Sequence, residues 1–316
     1  MRVLKYNRHV MQIFRGLTSP SPQPLALTVG NFDGVHVGHQ ALIQVLKTEA
    51  AQRQLATGAV IFEPHPREFF SPETAPPRLS SLREKLEQFE RLGLDQVHIC
   101  AFNERFAQMP AQAFARALHD QLQAKFVVIG DDFRFGRGRA GDIQLLQKMS
   151  PSYAARAMSS VLLDGVRVSS TVVRQALQAG QLQQARQYLG RHYSISGRVV
   201  RGAQVGRQLG FPTANILPPK RRPPLSGVFV VEVHIPHWGV LQGVANVGIR
   251  PTVNGAHQPM LEVHLFEFDQ QLYGKPLRVV FLQKLRDEQK FANFEALRQQ
   301  IVLDVTQAKN WFERHD

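Results

Sequence analysis

The chain has 316 residues, 43% of them hydrophobic, and carries 38 Lys and Arg against 25 Asp and Glu, a net charge of +13. That length exceeds what one compact core usually organises, so two domains of roughly 130–190 residues are expected. No apolar run approaches the roughly 20 residues that span a bilayer, and the start MRVLKYNRHVMQIFRG lacks a secretory apolar core; the expected address is the cytoplasm, with no membrane partner.

The basic surplus first suggests a polyanion partner. Its distribution is even: residues 1–190 hold 22 basic and 15 acidic residues, and residues 191–316 hold 16 and 10. Phosphate-bearing small substrates fit such a spread as well as nucleic acid does. The single cysteine, Cys100 in VHICAF, excludes an intrachain disulfide and reads as a buried small hydrophobe.

In chain order, LALTVG (25–30) reads as a strand, HQALIQVLKTEAAQRQ (39–54) as a helix and GAVIFE (58–63) as a strand, which opens a βαβ pattern. SSLREKLEQFERLG (80–93), DQVHICAF (95–102), PAQAFARALHDQLQ (110–123) and KFVVIG (125–130) continue it as helix, strand, helix and strand. The pattern predicts a doubly wound parallel sheet over 1–190. Near 190 the texture changes to Gly- and Pro-rich segments with strand-like runs GVFVVEVHI (227–235), MLEVHLFEF (260–268) and PLRVVFLQKL (276–285). A small antiparallel barrel over 191–316 follows, closed by an amphipathic helix over 293–312. SPSPQP (19–24) and LPPKRRPP (217–224) read as loops.

The first strand runs into GNFDGVHVGHQALI, which sets Gly30, Gly34 and Gly38 with His36 and His39 on a strand-to-helix turn. Glycines admit an anion to the backbone, a helix start offers unpaired N–H groups, and imidazoles add donors. Later, VRVSSTVVRQAL places Ser169, Ser170 and Thr171 ahead of an apolar-periodic run with Arg174 one turn in. By itself that is a helix cap. Together the two elements resemble the nucleotidylyltransferase superfamily, and FEPHPREFF (62–70) and GDDFRFGRGRAGD (130–142) look like the FMN adenylyltransferase module of prokaryotic bifunctional riboflavin kinase/FAD synthetases. The resemblance implies attack of an FMN phosphate oxygen on the α-phosphorus of ATP. His36 and His39 would stabilise charge there, with Gly30, Asp33 and Gly38 in the same turn, while Ser170, Thr171 and Arg174 would hold the outer phosphates. It also implies flavin contacts from His65, Asp131 and Arg137, which the sequence does not separate from adenine contacts.

In the second half, SGRVVRGAQVGRQLGFPTANI (196–216) puts Gly202 and Gly206 before a PTAN tetrapeptide. The pattern is neither a Walker loop nor a dinucleotide fingerprint, and it resembles the riboflavin kinase family, as do GVANVGIRPTVNG (243–255) and LEVHLFEF…KLRDEQKF (261–291). The resemblance implies a glycine loop over ATP, Thr213 and Asn215 toward Mg²⁺ and phosphates, and Arg286 toward the flavin phosphate. Alternation in LEVHLFEF places Glu262, His264, Phe266 and Phe268 on one face. A surface ion pair and a general base are both open to Glu262 from the residues alone; the resemblance implies a base for the 5′-hydroxyl of riboflavin. The resemblance covers about residues 25–312, with riboflavin, FMN and ATP as partners and the oligomeric state unspecified. Three rival readings are a chain with one live and one degenerate module, an adenylyltransferase for another phosphate ester with a non-catalytic barrel, and a basic nucleic-acid-binding protein.

Overall fold

The computed structural model describes residues 10–18, 21–149, 153–202, 205–217, 222–251 and 257–315. The first half of the leader Met1–Thr18, the start of SPSPQP, the middle of LPPKRRPP and the end of GVANVGIRPTVNG lie outside the described residues. The chain divides into two compact units, Met1–Pro76 with Leu82–Val168, and Pro77–Ser81 with Ser169–Asp316.

The first unit runs β1 (Gln12–Arg15), β2 (Leu25–Val29), α1 (Val37–Gln52), β3 (Ala56–Glu63), α2 (Pro66–Phe70), α3 (Leu82–Arg91), β4 (Gln96–Ala101), α4 (Glu104–Ala107), α5 (Ala111–Asp120), β5 (Ala124–Gly130), a 3₁₀ turn (Arg137–Arg139), α6 (Ile143–Lys148), β6 (Ala154–Met158) and a short pair β7 (Leu162–Leu163) and β8 (Val166–Arg167). Its described strands form a six-stranded sheet in the order β1-β4-β3-β2-β5-β6, every neighbour parallel. All five residues of β2 are buried, as a central strand covered on both faces requires. Leu25, Leu27 and Val29 pack with Phe114 and Leu118 of α5, and Ala26 packs on the other face with Ile43 and Leu46 of α1 and Phe89 of α3. Cys100 lies in this core, where burial pushes its thiol up to about 12, so it is the inert hydrophobe the sequence predicts.

The second unit contains α7 (Ser170–Gln178), α8 (Leu182–Leu189), β9 (Ser194–Val200), α9 (Val205–Gln208), β10 (Ala214–Ile216), β11 (Gly227–Ile235), β12 (Gly239–Pro251), β13 (His257–Leu265), β14 (Pro276–Arg286) and α10 (Phe294–Glu313). The strands close a barrel in the order β10-β13-β12-β11-β14-β9, antiparallel throughout. Alternation decides its two faces: Phe229 and Phe281 meet edge to face at 5.3 Å, while Val230, Val280 and Leu282 turn the other way, onto Ala308 and Phe312 of α10. Asn293 caps α10 by accepting from the Ala296 N–H.

Candidate active sites

In the parallel sheet the strand order reverses between β2 and β5, and open α/β sheets bind ligands beyond the carboxyl ends of the strands at that point. There the chain leaves β2 through Gly30 and winds along Asn31–His36 with Phe32, Gly34 and Val35 at φ 50°, 79° and 42°. A β-branched residue at positive φ is an outlier, and such conformations cost on the order of 1–3 kcal/mol each and cluster at functional sites. The turn is held from several sides. Val35 N–H donates to Phe32 O at 3.2 Å, Gln40 Nε2 to Val35 O at 2.9 Å, and Lys85 Nζ to Asn31 O at 2.6 Å.

His36 is the N-cap of α1, its Nδ1 accepting the His39 N–H at 3.4 Å, and the two imidazoles stack with centroids 3.6 Å apart. Gly38 makes room for this: a Cβ there would lie 3.2 Å from the His36 ring. His39 leans on Phe32 at 5.0 Å. Burial, then the charges of His36 and Lys85, hold its imidazole well below the usual histidine range, so His39 is neutral at pH 7. Asp33 is buried in the same turn. His39 Nδ1 and Asn31 Oδ1 are buried without a hydrogen-bond partner among the described residues, so both are open to a partner from outside the chain.

The other residues named for this chemistry are placed as follows. Asp131, just past β5, accepts from Ser160 Oγ at 3.1 Å and lies 3.7 Å from Arg167. Arg137 is exposed on the 3₁₀ turn, whose backbone is tied to Met109 O. His65 caps α2 in a reciprocal box with Glu68. In the second unit Ser169 caps α7 by accepting from the Val172 N–H at 3.4 Å, which sets Ser170 and Thr171 in its first turn; Arg174 is buried, with Nε donating to Pro77 O at 2.6 Å.

The barrel assembles its residues by strand register. Asn215 of β10 stands opposite Glu262 of β13, and Glu262 stands opposite Asn246 of β12, so the three side chains form one row on one face. Leu261, Val263 and Leu265 are buried on the opposite face while Glu262 and His264 are half-buried, the alternation the sequence predicts. His264 Nδ1 pairs with Pro212 O at 2.9 Å, joining the PTAN segment to β13. A Cβ on Gly202 would fall 2.5 Å from the Asn215 amide, and one on Gly206 would fall 2.5 Å from Phe211 O and 3.3 Å from Thr213 Oγ1; these two glycines thus abut the PTAN segment. Asn215 Oδ1 is buried with no partner among the described residues, an orphaned neutral oxygen of the kind Mg²⁺ accepts beside waters and phosphates. Among those residues no three His, Cys, Asp or Glu side chains gather as a metal-ligand set.

Arg286 ends β14 in a fork on the buried carboxylate of Asp304, at 2.9 Å from Nε and 2.8 Å from Nη2, while Nη1 donates to Asp287 O. Beyond it Glu288 comes to Gly248, where a Cβ would collide with its carboxylate. Burial raises the Glu288 pKa, the nearby Glu262 adds to the rise, and an Asn246 hydrogen bond opposes it. Asn246, Glu288, Asp304 and Lys85 were not singled out from the sequence. Lys85 carried a readable signal: with Leu82 and Phe89 it falls on the buried stripe of its helix at i+3 and i+4 spacing.

Comparison with known proteins finds a family match in each half of the chain. The FAD synthetase family model matches residues 18–172 and the riboflavin kinase model matches 189–312. Bifunctional riboflavin kinase/FMN adenylyltransferases from Escherichia coli K12 and Pseudomonas fluorescens are 45% and 46% identical, covering 96% and 95% of this chain and 98% and 97% of theirs. A solved structure described as a macrolide-efflux protein from Streptococcus pneumoniae superposes with a TM-score of 0.82 at 28% identity, covering 95% of this chain and 100% of that one. Among the described residues of this chain, no helix is long and apolar enough to cross a membrane. Two family matches in the same order, over nearly the full length of such relatives, place this chain in the bifunctional riboflavin kinase/FMN adenylyltransferase family.

Proposed function

We propose that residues 191–316 transfer the γ-phosphate of ATP to the 5′-hydroxyl of riboflavin, and that residues 1–190 join the resulting FMN to the adenylyl group of a second ATP, giving FAD and pyrophosphate. The order of the two family matches supports this division of labour, and the cytoplasm is the compartment we infer.

The observation that carries the kinase reading is the row Asn215, Glu262, Asn246 beneath the Gly202 cradle. A carboxylate that faces an amide on each neighbouring strand is suited to take the hydroxyl proton as the O–P bond forms and the bond to ADP breaks. Mg²⁺ held by Thr213, Asn215 and the ATP phosphates would neutralise charge there. Arg286, fixed through Asp304, is assigned to the flavin-phosphate side.

For adenylyl transfer no covalent intermediate is needed; positioning and charge neutralisation do the work. His36 and neutral His39 donate toward the α-phosphate, beside Gly30, Asp33 and Gly38. Ser170, Thr171 and Arg174 hold the departing pyrophosphate, and His65, Asp131 and Arg137 meet the flavin or the adenine.

Incubating the protein with riboflavin, ATP and MgCl₂ and separating the flavins by chromatography tests the reading. FMN should form first and FAD after it. FMN without FAD would leave only the barrel active, and no flavin product would refute both assignments. The fragment 191–316 alone should make FMN and no FAD.

A further inference from the structure

We propose that Lys85 is a positioning residue for adenylyl transfer: its buried ammonium pins the Asn31–His36 turn and thereby fixes the stacked imidazoles of His36, at the end of that turn, and His39, in the first turn of α1. This rests on the adenylyltransferase reading of the first unit and adds a residue from a different helix to it.

A lysine only 2% exposed is rare, because its charge leaves water only where specific partners replace the solvent. Here a partner is the backbone carbonyl of Asn31, at 2.6 Å. One turn further along α3, Phe89 meets Phe32 edge to face at 5.3 Å. Lys85 and Phe89 are i and i+4 on one helix face, and they contact consecutive residues of the turn, Asn31 and Phe32. The helix therefore grips the turn with one charged and one apolar contact where its backbone enters the left-handed region at Phe32 and Val35.

His36 ends that turn and stacks on His39 in the first turn of α1. Lys85 also acts on them as a fixed cation, one of the two charges that bear on His39, with His36 the other. A turn free to relax its positive φ values would move both rings, and a displacement of about 1 Å in a catalytic group costs up to about 10²-fold in rate.

The test compares wild type with Lys85→Met, which keeps length without charge, and Lys85→Gln, which keeps a donor for the Asn31 carbonyl. FAD formation from supplied FMN and MgATP is measured beside the NMR titration of His39. Lys85→Met should lower kcat about 10- to 100-fold, leave the KM for ATP within roughly threefold and raise the His39 midpoint, since a neighbouring cation has gone. Lys85→Gln should recover part of kcat while His39 stays raised. Riboflavin phosphorylation should not change in either.

Wild-type FAD formation together with an unmoved His39 midpoint in folded Lys85→Met would defeat the proposal, as would an equal fall in both activities. If neither variant folds, ¹⁵N spectra of the wild-type ammonium decide: slow proton exchange with water supports the pin, and free exchange overturns it. A wild-type chain that makes no FAD would instead defeat the adenylyltransferase reading.

Discussion

Asn215 and Glu262 face each other across β10 and β13, and Asn246 faces Glu262 from β12. A carboxamide at 262 would preserve this row and its shape but could not take a proton. Glu262→Gln should therefore lower kinase kcat by about 10²–10⁴-fold with little change in the KM for riboflavin, while FAD synthesis from supplied FMN persists. A surface ion pair is worth at most about 1 kcal/mol, so turnover within about threefold of wild type would remove Glu262 as the base.

The Gly202 contact offers a second handle on the same row. Adding one methyl group there drives into the Asn215 amide at 2.5 Å, and overpacking of this kind costs about 1–3 kcal/mol. Gly202→Ala should weaken ATP use by the kinase about 10-fold or more and raise the MgCl₂ concentration needed for half-maximal rate. An unchanged MgCl₂ curve would separate Asn215 from the metal.

His39 and Arg174 are the residues proposed for the other reaction. His39→Ala with Arg174→Ala should reduce FAD formation by at least about 10²-fold, the loss expected for one transition-state donor, so that FMN accumulates from riboflavin. Loss of both activities in a folded protein would indicate a shared site, and full FAD synthesis would remove these residues from the mechanism.

Much of this was legible in the sequence because the main elements have strong periods. The runs at 25–29, 227–235 and 276–286 are strands within a residue of their predicted ends, and the closing helix is shifted by one. Short elements carried no such signal. Strand β1 has four residues and exists by pairing with β4, some eighty positions away in the chain. Individual candidate residues are visible in their motifs, but the facing of Asn215, Glu262 and Asn246 depends on register, which loop geometry sets. Lys85 was passed over because a lysine on an apolar stripe contradicts the binary pattern, and such contradictions concentrate where function overrides packing.

Asp304 separates structural from chemical duty in the barrel. It is 3% exposed and accepts from Arg286 twice and from Gln300 at 2.9 Å. Asp304→Asn keeps the shape and leaves the Arg286 charge uncompensated, at a cost of about 2–3 kcal/mol. Trp311 lies on α10, so its fluorescence during urea unfolding reports the loss. A midpoint equal to wild type would mean that the fork contributes nothing to the packing of α10.

The acid limit of the first unit should depend on His98. This residue of β4 is fully buried and stacks on Phe14 of β1 with centroids 4.9 Å apart. Burial lowers its pKa from the ordinary 6.5 to about 4, against a smaller opposing effect of the Gly16 backbone. Between those two values the unfolded chain binds a proton that the folded chain refuses, so stability falls as pH drops from 6.5 toward 4 and is insensitive to this group outside that window. The gap corresponds to roughly 3 kcal/mol when fully expressed. Both tryptophans, Trp238 and Trp311, lie in the second unit, so hydrogen exchange at the β1 and β4 amides is the suitable measurement. Wild type should lose protection there between pH 6.5 and 4, and His98→Leu, which removes the titrating group and keeps an apolar contact for Phe14, should lose less. The other histidines with lowered pKa, His39, His192 and His264, remain in both proteins, so the difference between the two profiles isolates His98. Parallel profiles would show that the imidazole is accommodated in its charged form and that the edge strand is not held by a neutral ring.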